Sequence, residues 1–111
     1  MDNPKFRIDR KMSANRVSRD AVIKKLVYSL SRRGAKRIRI FGSYARGEQT
    51  PKSDIDVLVE FRDRKSLLDF VRIEREVSEE VGKKVDLLTE NAISPYLKDR
   101  IKKEAEVIYG A

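Results

Sequence analysis

Residues 36–61 read KRIRIFGSYARGEQTPKSDIDVLVEF. Two runs within this stretch alternate apolar and polar residues with the period of a β-strand. Lys36–Phe41 is apolar at every second place, and Asp54–Phe61 sets Ile55, Val57, Val59 and Phe61 on one face. Asp54, Asp56, Leu58 and Glu60 fall on the other face. Between the runs, Gly42-Ser43 breaks the pattern and a short helix is expected, followed by the turn-rich Glu48–Ser53. A strand that runs into Gly-Ser and then a helix turns unpaired backbone amides toward solvent, and the helix dipole favours an anion there. Gly42 lets a ligand approach the backbone closely, and the Ser43 hydroxyl adds a donor. The same two residues also suit a plain tight turn.

The elements on either side extend the alternation. Upstream, Ser18 is a suitable N-cap, with Val17 and Val22 spaced as a hydrophobic staple. Val22, Ile23, Leu26, Val27 and Leu30 then share one helical face, and Gly34 stands where a helix would end. Downstream, Ser66 and Asp69 have capping-box spacing ahead of a helix to Val81. Its apolar face is Leu67, Phe70, Ile73 or Val77, and Val81, and Gly82 terminates it. Lys84–Leu88 reads as a third strand. Ser94-Pro95 opens a last helix with Leu97, Ile101 and Ala105 inward, and Val107–Tyr109 closes with a short strand. Alternating helices and strands predict an α/β fold, a sheet flanked by helices in a single small domain over residues 17–111. Residues 1–16 are basic and carry no sustained period, which reads as a loosely docked N-terminal arm.

The carboxylates carry the chemistry. Asp54 and Asp56, two apart on a strand, project from one face about 7 Å apart at the backbone. Leu58 shares that face, so the pair does not read simply as a solvated surface, and two like charges there call for a counter-ion. Oxygen-only ligands suit Mg²⁺ or Mn²⁺, which complete their shells with water and substrate phosphates. Asp86 lies in Lys84–Leu88 with apolar neighbours on both sides. If that strand pairs beside Asp54–Phe61, Asp86 reaches the same ion. Three carboxylates beside a phosphate-holding turn are the equipment for a metal-assisted displacement at phosphorus, in which two ions would clamp the attacking and leaving oxygens. Asp86 could also take the proton of the attacking hydroxyl.

Composition narrows the alternatives. The 111 residues contain no Cys and no His, which excludes a disulfide framework, a zinc finger, a thiol nucleophile and any imidazole base. No apolar run approaches the ~20 residues of a membrane-spanning helix, and the first residues lack the apolar core of a secretion signal, so a cytoplasmic protein is expected. The net charge of +8 is uneven: residues 1–53 hold 15 Lys and Arg against 4 Asp and Glu, and the remainder 11 against 14. Such a half suits an acidic partner, a polyphosphate or a solvated surface. No RNA-binding signature or helix-turn-helix accompanies it, and nucleic acid is not expected as a direct partner.

Gly42-Ser43, ten residues, then Asp54-Ile55-Asp56 resembles the G-S-x10-D-x-D signature of the DNA polymerase β-like nucleotidyltransferases. The surrounding GSYARGEQTPKSDIDVLVEF resembles the minimal nucleotidyltransferases among them, and the likeness runs from the preceding helix to the ending KKEAEVIYG. The resemblance implies the nucleotidyltransferase fold with a mixed sheet, Mg²⁺, and a nucleoside triphosphate, usually ATP. It implies that Gly42 and Ser43 hold the triphosphate, that Asp54, Asp56 and Asp86 bind metal, and that Arg46 lies near the phosphates. Members of this branch are commonly antitoxins, paired with a HEPN-domain ribonuclease toxin whose tyrosine they modify with AMP. The expected function is therefore a protein adenylyltransferase antitoxin, alone as a homodimer or in a hetero-oligomer with its toxin. Two alternatives stay open: neutralisation by binding alone, and a catalytic subunit acting on a small molecule or an RNA end.

Overall fold

The computed structural model describes residues 19–110; the basic arm over residues 1–16 and the Val17–Ser18 capping arrangement lie outside them. Helix α1 covers residues 19–31. Strand β1 (Ala35–Phe41) leads into the short helix α2 (Ser43–Arg46), and β2 (Ile55–Phe61) follows the loop. Helix α3 (Leu67–Val81), β3 (Val85–Leu88), a single 3₁₀ turn (Glu90–Ala92), α4 (Pro95–Glu104) and β4 (Glu106–Tyr109) complete the chain.

The four strands form one mixed sheet in the order β3-β2-β1-β4. β1 runs antiparallel to both β2 and β4, whereas β2 and β3 are parallel and α3 makes the crossover between them. The cross-strand register sets Ile38 beside Val59, Ile40 beside Val57, Ile55 beside Val85 and Val57 beside Leu87. These side chains form one apolar face, and Val22, Leu26 and Leu30 of α1 pack on it with Ile73, Val77 and Val81 of α3. Each such side chain contributes roughly 1.5–3 kcal/mol on burial. The two helices are also joined by polar groups. Glu80 accepts from Ser29 Oγ (2.6 Å), Arg32 (2.7 Å) and Arg33 (2.6 Å), so the end of α1 is tied to α3.

Local signals explain the boundaries. The Ser66 hydroxyl accepts from the Asp69 amide and opens α3, and the Ser94 hydroxyl does the same for the Tyr96 amide at α4, with Pro95 in the first turn. β2 starts at Ile55, because a turn in which Ser53 N–H donates to Thr50 C=O holds the chain just before it. Asp54 therefore precedes the strand and is exposed.

Two expected helix faces differ from the sequence reading. Leu67 is 77% exposed and Leu68 beside it 82%, so the first turn of α3 buries neither leucine. α4 buries none of its residues, and its Leu97 is 47% exposed. A helix reading PYLKDRIKKE has too little apolar surface to seat itself, and Ile93, just before its cap, is buried instead. Helix α4 is fastened by charge, with Lys102 Nζ 3.6 Å from Glu90, whose carboxylate also accepts from Arg39 at 2.8 Å.

Candidate active site

The second face of the sheet carries the carboxylates. β1 ends with Phe41 opposite Asp56, and Asp56 stands opposite Asp86 on β3, so one transverse row crosses three strands. Asp86 owes its place to α3, which covers the outer edge of β3. The Ser78 hydroxyl accepts from Val85 N–H (2.9 Å) and the Glu74 carboxylate accepts from Leu87 N–H (2.9 Å), so both outward amides beside Asp86 are satisfied.

Gly42 turns the chain away from this row with φ 73° and ψ −151°, a conformation essentially restricted to glycine. The close approach is equally demanding, because a Cβ at this position would meet Asp56 Oδ2 at 2.5 Å. In α2, the amides of Ala45 and Arg46 donate to Gly42 C=O. No described residue accepts from the amides of Ser43 and Tyr44. Tyr44 itself is buried, which pushes its phenol above the usual value, and its carbonyl accepts from Arg19 of α1 at 3.0 Å. The little helix is thus anchored through Tyr44, by its burial and by the bond from Arg19.

Burial raises the Asp56 carboxyl above the ordinary aspartate range, and the charges of Asp86 and Asp54 push it further in the same direction. Arg46 opposes the shift. Asp54, Asp56 and Asp86 therefore share one electrostatic neighbourhood, with Lys84 Nζ 3.8 Å from Asp86. Among the described residues no three acidic groups stand together as a ready-made metal cluster. The donor chemistry nevertheless fits a hard divalent cation: the groups are carboxylate oxygens, and their mutual repulsion is what such an ion relieves.

Arg46 is half-exposed and braced by two carboxylates, Glu48 on Nε (2.9 Å) and Glu104 on a terminal nitrogen (3.0 Å). The other oxygen of Glu104 accepts from Gly42 N–H at 3.1 Å. Of the amides at this turn, that of Gly42 is thus already engaged, while those of Ser43 and Tyr44 have no acceptor among the described residues. Sequence reasoning missed Glu104 altogether, and no local spacing ties it to a glycine 62 positions away. A groove of about 490 Å³ opens at the far end of β2, lined in part by Phe61, Arg64, Lys65 and Phe70; it contains none of the motif residues.

Residues 23–108 match the family model for the nucleotidyltransferase domain. A Methanocaldococcus jannaschii protein, provisionally named a protein adenylyltransferase, is 53% identical over 94 residues, covering 85% of this chain and 96% of that protein. In fold, the chain is similar to one from a crystallised toxin–antitoxin complex with AMP-PNP, with a TM-score of 0.70 at 23% identity, covering 80% of this chain and 73% of the other. It is also similar to a chain from the tri-AMPylated Shewanella oneidensis HEPN toxin bound to its MNT antitoxin. There the TM-score is 0.66 at 19% identity, with 84% and 73% covered. With the Gly-Ser turn and the aspartate row assembled across three neighbouring strands, the chain belongs to the nucleotidyltransferase domain family.

Proposed function

We propose that this nucleotidyltransferase is a protein adenylyltransferase that moves AMP from ATP to a tyrosine of a cognate HEPN toxin and so acts as its antitoxin. The observation that carries the reading is the row in which Asp56 and Asp86 are cross-strand neighbours beside the Gly42-Ser43 turn. The relative named for protein adenylylation and the fold-neighbour bound to an AMPylated toxin support the choice of acceptor.

In this reading residues 17–111 are the catalytic domain and residues 1–16 a basic appendage. Gly42 gives the triphosphate close access to the backbone. The amides of Ser43 and Tyr44 and the Ser43 hydroxyl donate to its oxygens, and Arg46 adds charge. Asp54, Asp56 and Asp86 would hold Mg²⁺, or Mn²⁺, with two ions as the expected number. Such an ion, when bound, neutralises the triphosphate and the charge that develops at the α-phosphorus. The toxin tyrosine oxygen attacks the α-phosphorus, the bond to the β-phosphate bridging oxygen breaks, and pyrophosphate leaves. Asp86 accepts the tyrosine proton. The domain works in the cytoplasm, and among the described residues no helix is long and apolar enough to cross a membrane.

The test is intact-mass measurement of a cognate HEPN toxin after incubation with MgATP and this protein. One or more AMP increments on toxin tyrosines are expected, with peptide mapping to exclude modification of Tyr44, Tyr96 or Tyr109 of this chain. A toxin silenced without added mass, and silenced equally by Asp54→Asn, would establish neutralisation by binding alone.

A further inference from the structure

Helix α4 contributes no buried side chain, yet its last residue reaches the motif. Glu104 spans two groups of the phosphate turn, accepting from Gly42 N–H at 3.1 Å with one oxygen and from the Arg46 guanidinium at 3.0 Å with the other. Both contacts draw its carboxyl below the usual range, the Gly42 amide first. Glu48 takes the Nε side of the same guanidinium at 2.9 Å. Arg46 is thus gripped at two of its three nitrogens, and a long, half-exposed side chain is held in one plane.

We propose that Glu104 is a positioning residue for the triphosphate. It presets the Gly42 peptide and the Arg46 plane, so that the nucleotide meets an ordered cradle. The inference rests on the reading of Gly42-Ser43 as the triphosphate turn. Two features of the geometry carry it. First, Glu104 occupies the Gly42 amide and neither of the next two, so it orients the turn without consuming the donors of Ser43 and Tyr44. Second, the remaining guanidinium nitrogen of Arg46 stays available to a phosphate oxygen, because neither carboxylate holds it. Pre-ordering of this kind lowers the entropy that binding must spend and appears as affinity.

The experiment is titration of MgATP into the full chain and its Glu104→Ala, Glu104→Gln, Arg46→Ala and doubly substituted Arg46→Ala/Glu104→Ala forms, each checked for its melting transition. Glu104→Ala is expected to weaken ATP about tenfold or more. Glu104→Gln, which keeps one acceptor but faces the second donor with an amide N–H, should fall between it and the parent. The double form should lose clearly less than the sum of the two single losses, because part of the Glu104 effect passes through Arg46 and only the Gly42 part survives without it; a merely structural role would give additive losses. Unchanged or tighter binding in both Glu104 variants overturns the inference, tighter binding showing that the carboxylate competes with phosphate. If Glu104→Ala fails to fold, Glu104→Gln and its Arg46→Ala combination decide. Failure of the parent protein itself to bind MgATP would instead overturn the triphosphate reading on which this rests.

Discussion

Replacing Gly42 by alanine tests the site at its tightest point. The backbone there has φ 73° and ψ −151°, which costs a residue with a side chain roughly 1–3 kcal/mol. The added Cβ would also lie 2.5 Å from Asp56 Oδ2, so the carboxylate must move. Gly47 is the matched control. It has the same φ of 73° with ψ 21°, and a Cβ there meets nothing within 4 Å. Gly47→Ala should carry only the left-handed strain of about 1–2 kcal/mol. Both variants should melt earlier, by on the order of 5–15 °C, since 1 kcal/mol moves a domain near this size by about 4–8 °C. They part in activity. Displacing a reacting group by an ångström is worth about a hundredfold in rate, so Gly42→Ala should lose AMP transfer on that scale while Gly47→Ala stays within a few-fold. The assay is single-turnover transfer to the toxin at a temperature where both remain folded. Equal turnover in the two variants would refute the idea that the glycine exists to bring the backbone against Asp56.

Four further outcomes are expected. Asp54→Asn, Asp56→Asn and Asp86→Asn should each lose Mg²⁺-dependent transfer by about three orders of magnitude with the fold retained by circular dichroism, and a variant with full activity and unchanged Mg²⁺ affinity removes its residue from the site. The metal-free Asp56→Asn protein should melt no lower than the parent, because burial and the neighbouring Asp86 and Asp54 disfavour the ionised carboxyl that the substitution removes. Ser43→Ala should weaken ATP by roughly 10- to 150-fold, read by calorimetric titration, if its hydroxyl donates to a charged oxygen. Glu80 is held far below its ordinary value of 4.5 by Arg33, then Ser29 and Arg32. Its stabilising effect is therefore complete above that value and lost as pH falls below it. Acid melts of Glu80→Gln should show a shallower loss of stability between about pH 5 and 2 than the parent, and identical slopes would remove Glu80 from the acid response.

The central hairpin and its flanking helix were legible because their signals are local. Alternation in Lys36–Phe41 and Asp54–Phe61 and the Ser66 cap each operate over a few residues, and the strands and α3 lie where those signals put them. The convergence of Asp86 on Asp56 was legible only as a condition on strand pairing, which the parallel register of β2 and β3 meets. The seating of α4 was not legible. Leu97 and Ile101 have inward spacing, but periodicity reports an apolar stripe and not whether a surface exists to receive it. What α4 meets instead is charge, with Lys102 beside the Glu90 carboxylate that also holds Arg39. Glu104 was invisible for a different reason: a single carboxylate reaching across 62 positions leaves no pattern in either neighbourhood.

That same span has a consequence during synthesis. The Gly-Ser turn and both aspartates of the motif are translated long before Glu104, with β2, α3, β3 and most of α4 in between. At about 5–20 residues per second the delay lasts several seconds. Through that interval β1 has no β4 on its outer edge, and Arg46 lacks one of the two carboxylates that grip it. A nascent or C-terminally nicked chain thus carries the complete motif without the fully ordered turn. If Glu104 positions the turn as proposed, full nucleotide affinity would come only with the last helix and strand, and would double as a report that the far end of the chain has docked.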